Sequence, residues 1–139
     1  MRRKHSLWLA AVLIGLATSN PVQVLAKKVG VEGRAWLDAQ KDPAVINVNG
    51  TWDSDEWGAV HLRQSEGSRD VSGSVGGYEI TGVVSGNRLF MLFSAGDYIE
   101  YCAVLSPDGN NMMGTYSNRK RGKGVCQEDK SRPMYMTKK

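Results

Sequence analysis

Two turn dipeptides, Gly76-Gly77 and Gly86-Asn87, punctuate one alternating run from Val71 to Phe93. Two-residue hairpin loops need positive φ, which Gly adopts freely and Asn tolerates better than most residues. Taken as hairpin loops, they dictate a register. Val75 faces Tyr78, Gly73 faces Ile80, and Val71 faces Gly82. Across the second turn, Val84 faces Leu89, Gly82 faces Met91, and Ile80 faces Phe93. Side chains alternate along a strand, so all of these share one face. The opposite face carries Ser72, Ser74, Glu79, Thr81, Val83, Phe90 and Leu92. Two separate turns thus agree on one apolar face. The stretch is a three-stranded antiparallel meander.

Gly73 and Gly82 lie inside strands on that apolar face. Interior strand glycines mark curvature or close approach of another backbone. A sharper reading is that they leave room for a ligand beneath Tyr78 and Met91. The remaining strands follow from the same alternation. Val45 to Trp52 places Ile46, Val48, Gly50 and Trp52 on one side, and Asp53 to Glu56 turns the chain. Trp57 to Gln64 points Val60 and Leu62 inward and His61 and Arg63 outward. Tyr98 to Leu105 has its better core face at Ile99, Tyr101, Ala103 and Leu105. Pro107-Asp108-Gly109 turns into Met112 to Ser117, and Arg132 to Lys138 supplies the last strand, with Met134 and Met136 opposite Tyr135. About eight short strands at roughly 10-residue spacing describe an all-β, antiparallel, up-and-down meander. Closure into a small barrel removes exposed edges, so a closed barrel is expected, with a β-sandwich as the alternative.

The first 26 residues stand apart. Arg2, Arg3, Lys4 and His5 precede an apolar run from Leu7 to Ala17, and Val24-Leu25-Ala26 resembles a signal-peptidase site. The run is shorter than the ~20 residues a membrane span needs. A cleaved secretory signal over residues 1–26 is expected, with no transmembrane span afterwards. The product is exported, to a periplasm or the outside. Residues 27–44 form a lead-in, either two helical turns over Arg34 to Lys41 stopped by Pro43 or an extended segment. Residues 45–139 form the barrel domain.

The exported part holds 15 basic and 14 acidic residues, unevenly spread. Residues 27–116 carry 7 basic and 12 acidic side chains, whereas residues 117–139 carry 8 and 2. Arg119, Lys120, Arg121 and Lys123 cluster on one loop, Asn118 to Gly124. Such a loop is either simply solvated or meets an acidic partner: anionic lipid, lipopolysaccharide or protein. Nucleic acid is not expected outside the cytoplasm. Cys102 and Cys126 are the two cysteines, and an oxidising compartment makes a disulfide their default state.

A local echo runs through the chain as Gly50-Thr-Trp52, Gly73-Ser-Val75, Gly82-Val-Val84 and Gly114-Thr-Tyr116. It resembles the Gly-x-Trp and Gly-Thr-Tyr strand pattern of avidin-like and lipocalin-like up-and-down barrels. The likeness covers most of Val45 to Tyr116 and is to the fold alone, with no specific family. It implies a small molecule held in the barrel mouth. It transfers no ligand residues, because the polar contacts of avidin-type sites have no match here. Fold alone does not license function.

Catalytic chemistry is sparse. His61 is the one histidine after residue 26, and it falls on the outer face. Without a second His or a Cys-His pair, triad chemistry is hard to assemble. No phosphate loop or dinucleotide fingerprint is present. Asp53, Asp55 and Glu56 are the densest acidic group, but they lack the length and spacing of a calcium loop. They read most simply as a solvated turn, with a glycosidase pair as the sharper alternative. No metal, cofactor or catalytic residue is assigned, and a hydrolase ranks third.

The leading expectation is an exported, non-enzymatic barrel that binds a small apolar ligand near Trp52, Tyr78, Met91 and Phe93. The alternative is an interaction or inhibitor protein with a filled barrel, acting through the basic loop or through an outer apolar patch centred on Phe90. The partner is thus an unidentified small molecule or a macromolecule of the envelope or exterior. The intact mass of the exported protein should correspond to a chain starting at Lys27 and lying two hydrogens below its reduced form. Retention of residues before Lys27, or thiols that alkylate without reduction, would contradict this reading.

Overall fold

A computed structural model describes residues 21–119 and 131–139, with side chains from residue 30 onward. Helix α1 (Pro21–Asp38) leads into β1 (Gly50–Ser54), β2 (Gly58–Arg63), β3 (Asp70–Val75), β4 (Tyr78–Ser85), β5 (Arg88–Ala95), β6 (Tyr98–Asp108), β7 (Asn111–Asn118) and β8 (Arg132–Lys138). All neighbouring strands are antiparallel, and β8 returns to pair with β1, closing the barrel. Closure rests on Trp52 opposite Lys138, Asp53 opposite Thr137 and Ser54 opposite Met136. It rules out the sandwich.

The central meander has the register that its turns dictate. Val75 pairs with Tyr78, Gly73 with Ile80 and Val71 with Gly82. Val84 pairs with Leu89, Gly82 with Met91 and Ile80 with Phe93. Gly76 and Gly86 both take positive φ at the turns. Eight inward faces then merge into one core, in which Val60, Val84, Leu89, Met91, Phe93, Met112 and Met136 are fully buried. Met134 joins them from β8, and Tyr135 points outward.

The inward glycines have one physical role here. A Cβ on Gly73 would lie 1.9 Å from the carbonyl oxygen of His61. On Gly82 it would lie 2.5 Å from that of Phe90, and on Gly114 1.9 Å from that of Val104. Neighbouring backbone fills the space that side chains would need, so Gly73 and Gly82 leave no room for a ligand. They permit the close strand approach of a small barrel.

Three elements depart from the alternation. Val45 to Asn49 is not a strand. Its backbone turns to a side chain instead: the Val48 N–H donates to Gln64 Oε1 at 2.8 Å. The segment also bridges to the β4–β5 turn through Ala44 and Gly86, so it crosses one end of the barrel. Ile99, expected in the core, packs outside with Leu92 and Cys102. The cause is a bulge: Phe93 pairs with Tyr101 but Ser94 pairs with Ile99, leaving Glu100 unmatched. The outer patch of Val83, Phe90 and Leu92 is not open, because Leu37 of α1 is buried on it. Trp36 meets Phe90 edge-on, with ring centroids 5.6 Å apart.

Helix α1 kinks at Gly30, whose φ of 68° and ψ of 174° are not helical. The packing residues Trp36 and Leu37 lie after the kink, and the expected cleavage point after Ala26 lies before it. Among the described residues, no helix is long and apolar enough to cross a membrane.

Gly73→Ala and Gly114→Ala should each destabilise the barrel by about 2 kcal/mol or more, the cost of forcing atoms into a closed core. Gly77→Ala, with nothing within 4 Å of the new Cβ, should stay within about 0.5 kcal/mol of the parent. Urea denaturation of the three variants checks the contrast.

Candidate functional site

An up-and-down barrel places alternate turns at alternate ends. At the end formed by the β2–β3, β4–β5 and β6–β7 turns, the lead-in seals the core. Gln64 is the clasp. Besides accepting from Val48, its Nε2 donates to Ile46 O at 3.2 Å and to Ser68 O at 2.9 Å. The Trp52 indole N–H donates to Val48 O at 2.9 Å. Lys138 covers the same ring, 5.6 Å from its centroid.

The other end is built differently. There Trp57, in the β1–β2 turn, reaches over the barrel rim, its backbone N–H donating to Ser54 Oγ at 3.2 Å. Four rings meet it edge-on: Tyr101 at 4.8 Å, Phe93 at 5.1 Å, Tyr116 at 5.2 Å and Tyr78 at 5.8 Å between centroids. Edge-to-face pairs at these distances contribute about 0.5–1.5 kcal/mol each beyond area burial. They hold Trp57 as the centre of an aromatic mouth.

Two carboxylates anchor the ring tops. Tyr116 donates its hydroxyl to Glu56, and Tyr78 donates to Glu100 Oε2 at 2.9 Å. The Tyr78 phenol is pushed up to about 12, chiefly by that bond to Glu100 and then by burial. Burial raises the Tyr116 phenol, the Glu56 bond adds to it, and the Arg132 guanidinium opposes it. A cavity of about 260 Å³ opens beside these groups, lined by Glu56, Trp57, Tyr101, Tyr116, Asn118 and Arg132. Among the described residues, the buried Trp57 indole N–H has no hydrogen-bond partner. Buried donors are nearly always satisfied, and the ring that carries this one also lines the cavity.

The residues anticipated for a ligand are not gathered into one pocket. Trp52 belongs to the sealed end. Met91 is enclosed in mid-barrel, Phe93 lies under Trp57, and Tyr78 stands at the rim. Phe90 is 8% exposed beneath Trp36, so the patch centred on it is covered by the chain's own helix. Arg119 pairs with Glu32 of α1 at 2.6 Å, and its backbone N–H donates to Glu100 O at 2.8 Å. Lys120, Arg121, Lys123 and Cys126 lie outside the described residues. Cys102 is buried on the outer side with its Sγ 3.2 Å from Ser117 Oγ, and no described cysteine is a free thiol.

The acidic turn divides. Asp53 pairs with Lys139 at 3.3 Å, whereas Glu56 points to Tyr116. His61 is exposed on the outer face and meets Thr51 Oγ1 at 3.2 Å. Among the described residues, no three His, Cys, Asp or Glu side chains cluster as metal donors. A larger groove of about 470 Å³ runs outside the barrel beside α1, past Trp36, Phe90 and Val104. None of its lining side chains carries a buried unpartnered polar atom.

Trp57, Tyr101, Tyr116 and Arg132 were not anticipated as a group. Trp57 sits in a turn, where alternation carries no signal. The one available hint was a large aromatic placed directly between Glu56 and Gly58.

No family model, no curated protein and no solved structure matches this chain. The likeness to lipocalin-like barrels therefore stays with the closed eight-stranded architecture.

Both raised phenols ionise at higher pH folded than unfolded. Their contribution is intact below about pH 10 and is lost as the pH rises above it, through about 12 for Tyr78. A spectrophotometric titration of phenolate should show a late step that Tyr78→Phe removes. Ionisation of Tyr78 at its ordinary value would mean that the Glu100 bond is not held in solution.

Proposed function

We propose that this is an exported, non-enzymatic binding protein that holds its ligand at the Trp57 mouth and not in the depth of the barrel. The observation that carries this is a cavity of about 260 Å³ lined by Trp57, whose indole N–H is buried and, among the described residues, has no hydrogen-bond partner. The interior below is filled by side chains that are fully buried against one another. A ligand for the core would have to displace them. The mouth instead offers rings, an orphan donor and charged partners already in place, the usual make-up of a recognition site. Its volume lies below the ~300–1,000 Å³ of pockets that enclose drug-sized molecules. It takes a small ligand, or one unit of a larger one.

A second reading rests on the filled core itself. A packed barrel also serves as a rigid scaffold for a macromolecular partner at the basic loop, Asn118 to Gly124. The Arg119–Glu32 pair ties the start of that loop to α1.

The two indole N–H groups separate these readings. Small molecules extracted from the exporting compartment should shift the Trp57 indole resonance and leave that of Trp52, already bonded to Val48, in place. A shift at Trp52 alone would put the ligand at the sealed end. A partner protein retained with both resonances unmoved would favour the loop. Either result overturns the mouth.

A further inference from the structure

The charges around the mouth narrow the ligand. A simple anion would meet Arg132 but also the Glu56 carboxylate. A simple cation would meet Glu56 but also the Arg132 guanidinium. A purely apolar ligand would strip water from both charges and from the Asn118 amide without replacing their hydrogen bonds, which is costly. One class of small molecule satisfies all of them. Neutral polyhydroxylated rings carry hydroxyls that donate and accept at once. They can donate to Glu56, accept from Arg132, and do both with Asn118. The remaining lining is ring surface from Trp57, Tyr101 and Tyr116. The negative face of an aromatic ring attracts the electropositive C–H face of a sugar.

We infer that the Trp57 mouth is a saccharide site, taking one sugar unit of an extracellular or envelope glycan. This rests on the mouth being the binding site. The size agrees, since about 260 Å³ admits a single ring. The geometry also assigns roles. Tyr101 and Trp57 supply the stacking wall. Arg132 and Glu56 read hydroxyls, and Tyr116 positions Glu56 through its own hydroxyl bond. A single shallow subsite binds weakly, so strong retention requires a glycan that presents several copies.

The test uses the exported full-length protein and five probes: the methyl glycosides of glucose, galactose, mannose and N-acetylglucosamine, and cyclohexanol as an apolar ring of similar size. The readout is the Trp57 indole resonance, assigned with Trp57→Phe. At least one glycoside should shift it saturably at millimolar concentration, with cyclohexanol weaker. Arg132→Ala should weaken that glycoside about tenfold, the usual effect of losing a charged hydrogen bond. Asn118→Ala, at an exposed position, is the second variant and should weaken it as well. Cyclohexanol binding at Trp57 with no glycoside doing so would overturn the saccharide assignment and leave the mouth standing. No response at Trp57 to any probe or to the extract would overturn both.

Discussion

Close approach of strands across the inward glycines is the constraint on which the rest of the structure depends. At Gly73, Gly82 and Gly114 a neighbouring carbonyl oxygen occupies the place of a side chain. The barrel is therefore narrow, and the side chains that remain are enough to fill it. Met91, Met112, Met134 and Met136 suit this task, because an unbranched thioether adapts to irregular gaps. A filled interior leaves the space between side chains at the rim. The same backbone contacts that close the sheet thus leave the barrel without an interior cavity among the described residues.

The two ends of the barrel differ in how polar groups are satisfied. At the sealed end, Gln64 uses both its oxygen and its nitrogen on the lead-in backbone, and the Trp52 indole is bonded to Val48. At the other end, the Trp57 indole packs against rings, and among the described residues its N–H has no partner. Helix α1 contributes in a third place, the outer wall. Leu37 and Trp36 cover the apolar side of β4–β6, which an unassisted barrel would expose to water.

Much of the fold was legible in order, because hairpin registers are local. The turn residues Gly76-Gly77 and Gly86-Asn87 specify which residues face each other, and strict alternation carries the assignment along each strand. The reading failed where local alternation was broken by something distant. The Glu100 bulge turned Ile99 outward, and a side chain sixteen positions away, Gln64, drew Val48 out of the strand pattern. The candidate ligand residues fared less well. Trp52, Tyr78, Met91 and Phe93 share the inward face, but that face spans the whole height of the barrel and so does not gather them.

The amino-acid sequence by itself determined the strand count, the antiparallel order and, away from the Glu100 bulge, the face that the strand side chains take. All of these follow from period-two alternation and positive-φ turns between neighbours. Only the tertiary structure decided that the interior is full, that α1 covers Phe90, and that Trp57, Glu56, Tyr101, Tyr116 and Arg132 meet at one mouth. Those outcomes depend on closure, which brings β1, β2, β6, β7 and β8 together across the barrel. No local pattern encodes the distance between residues so far apart in the chain.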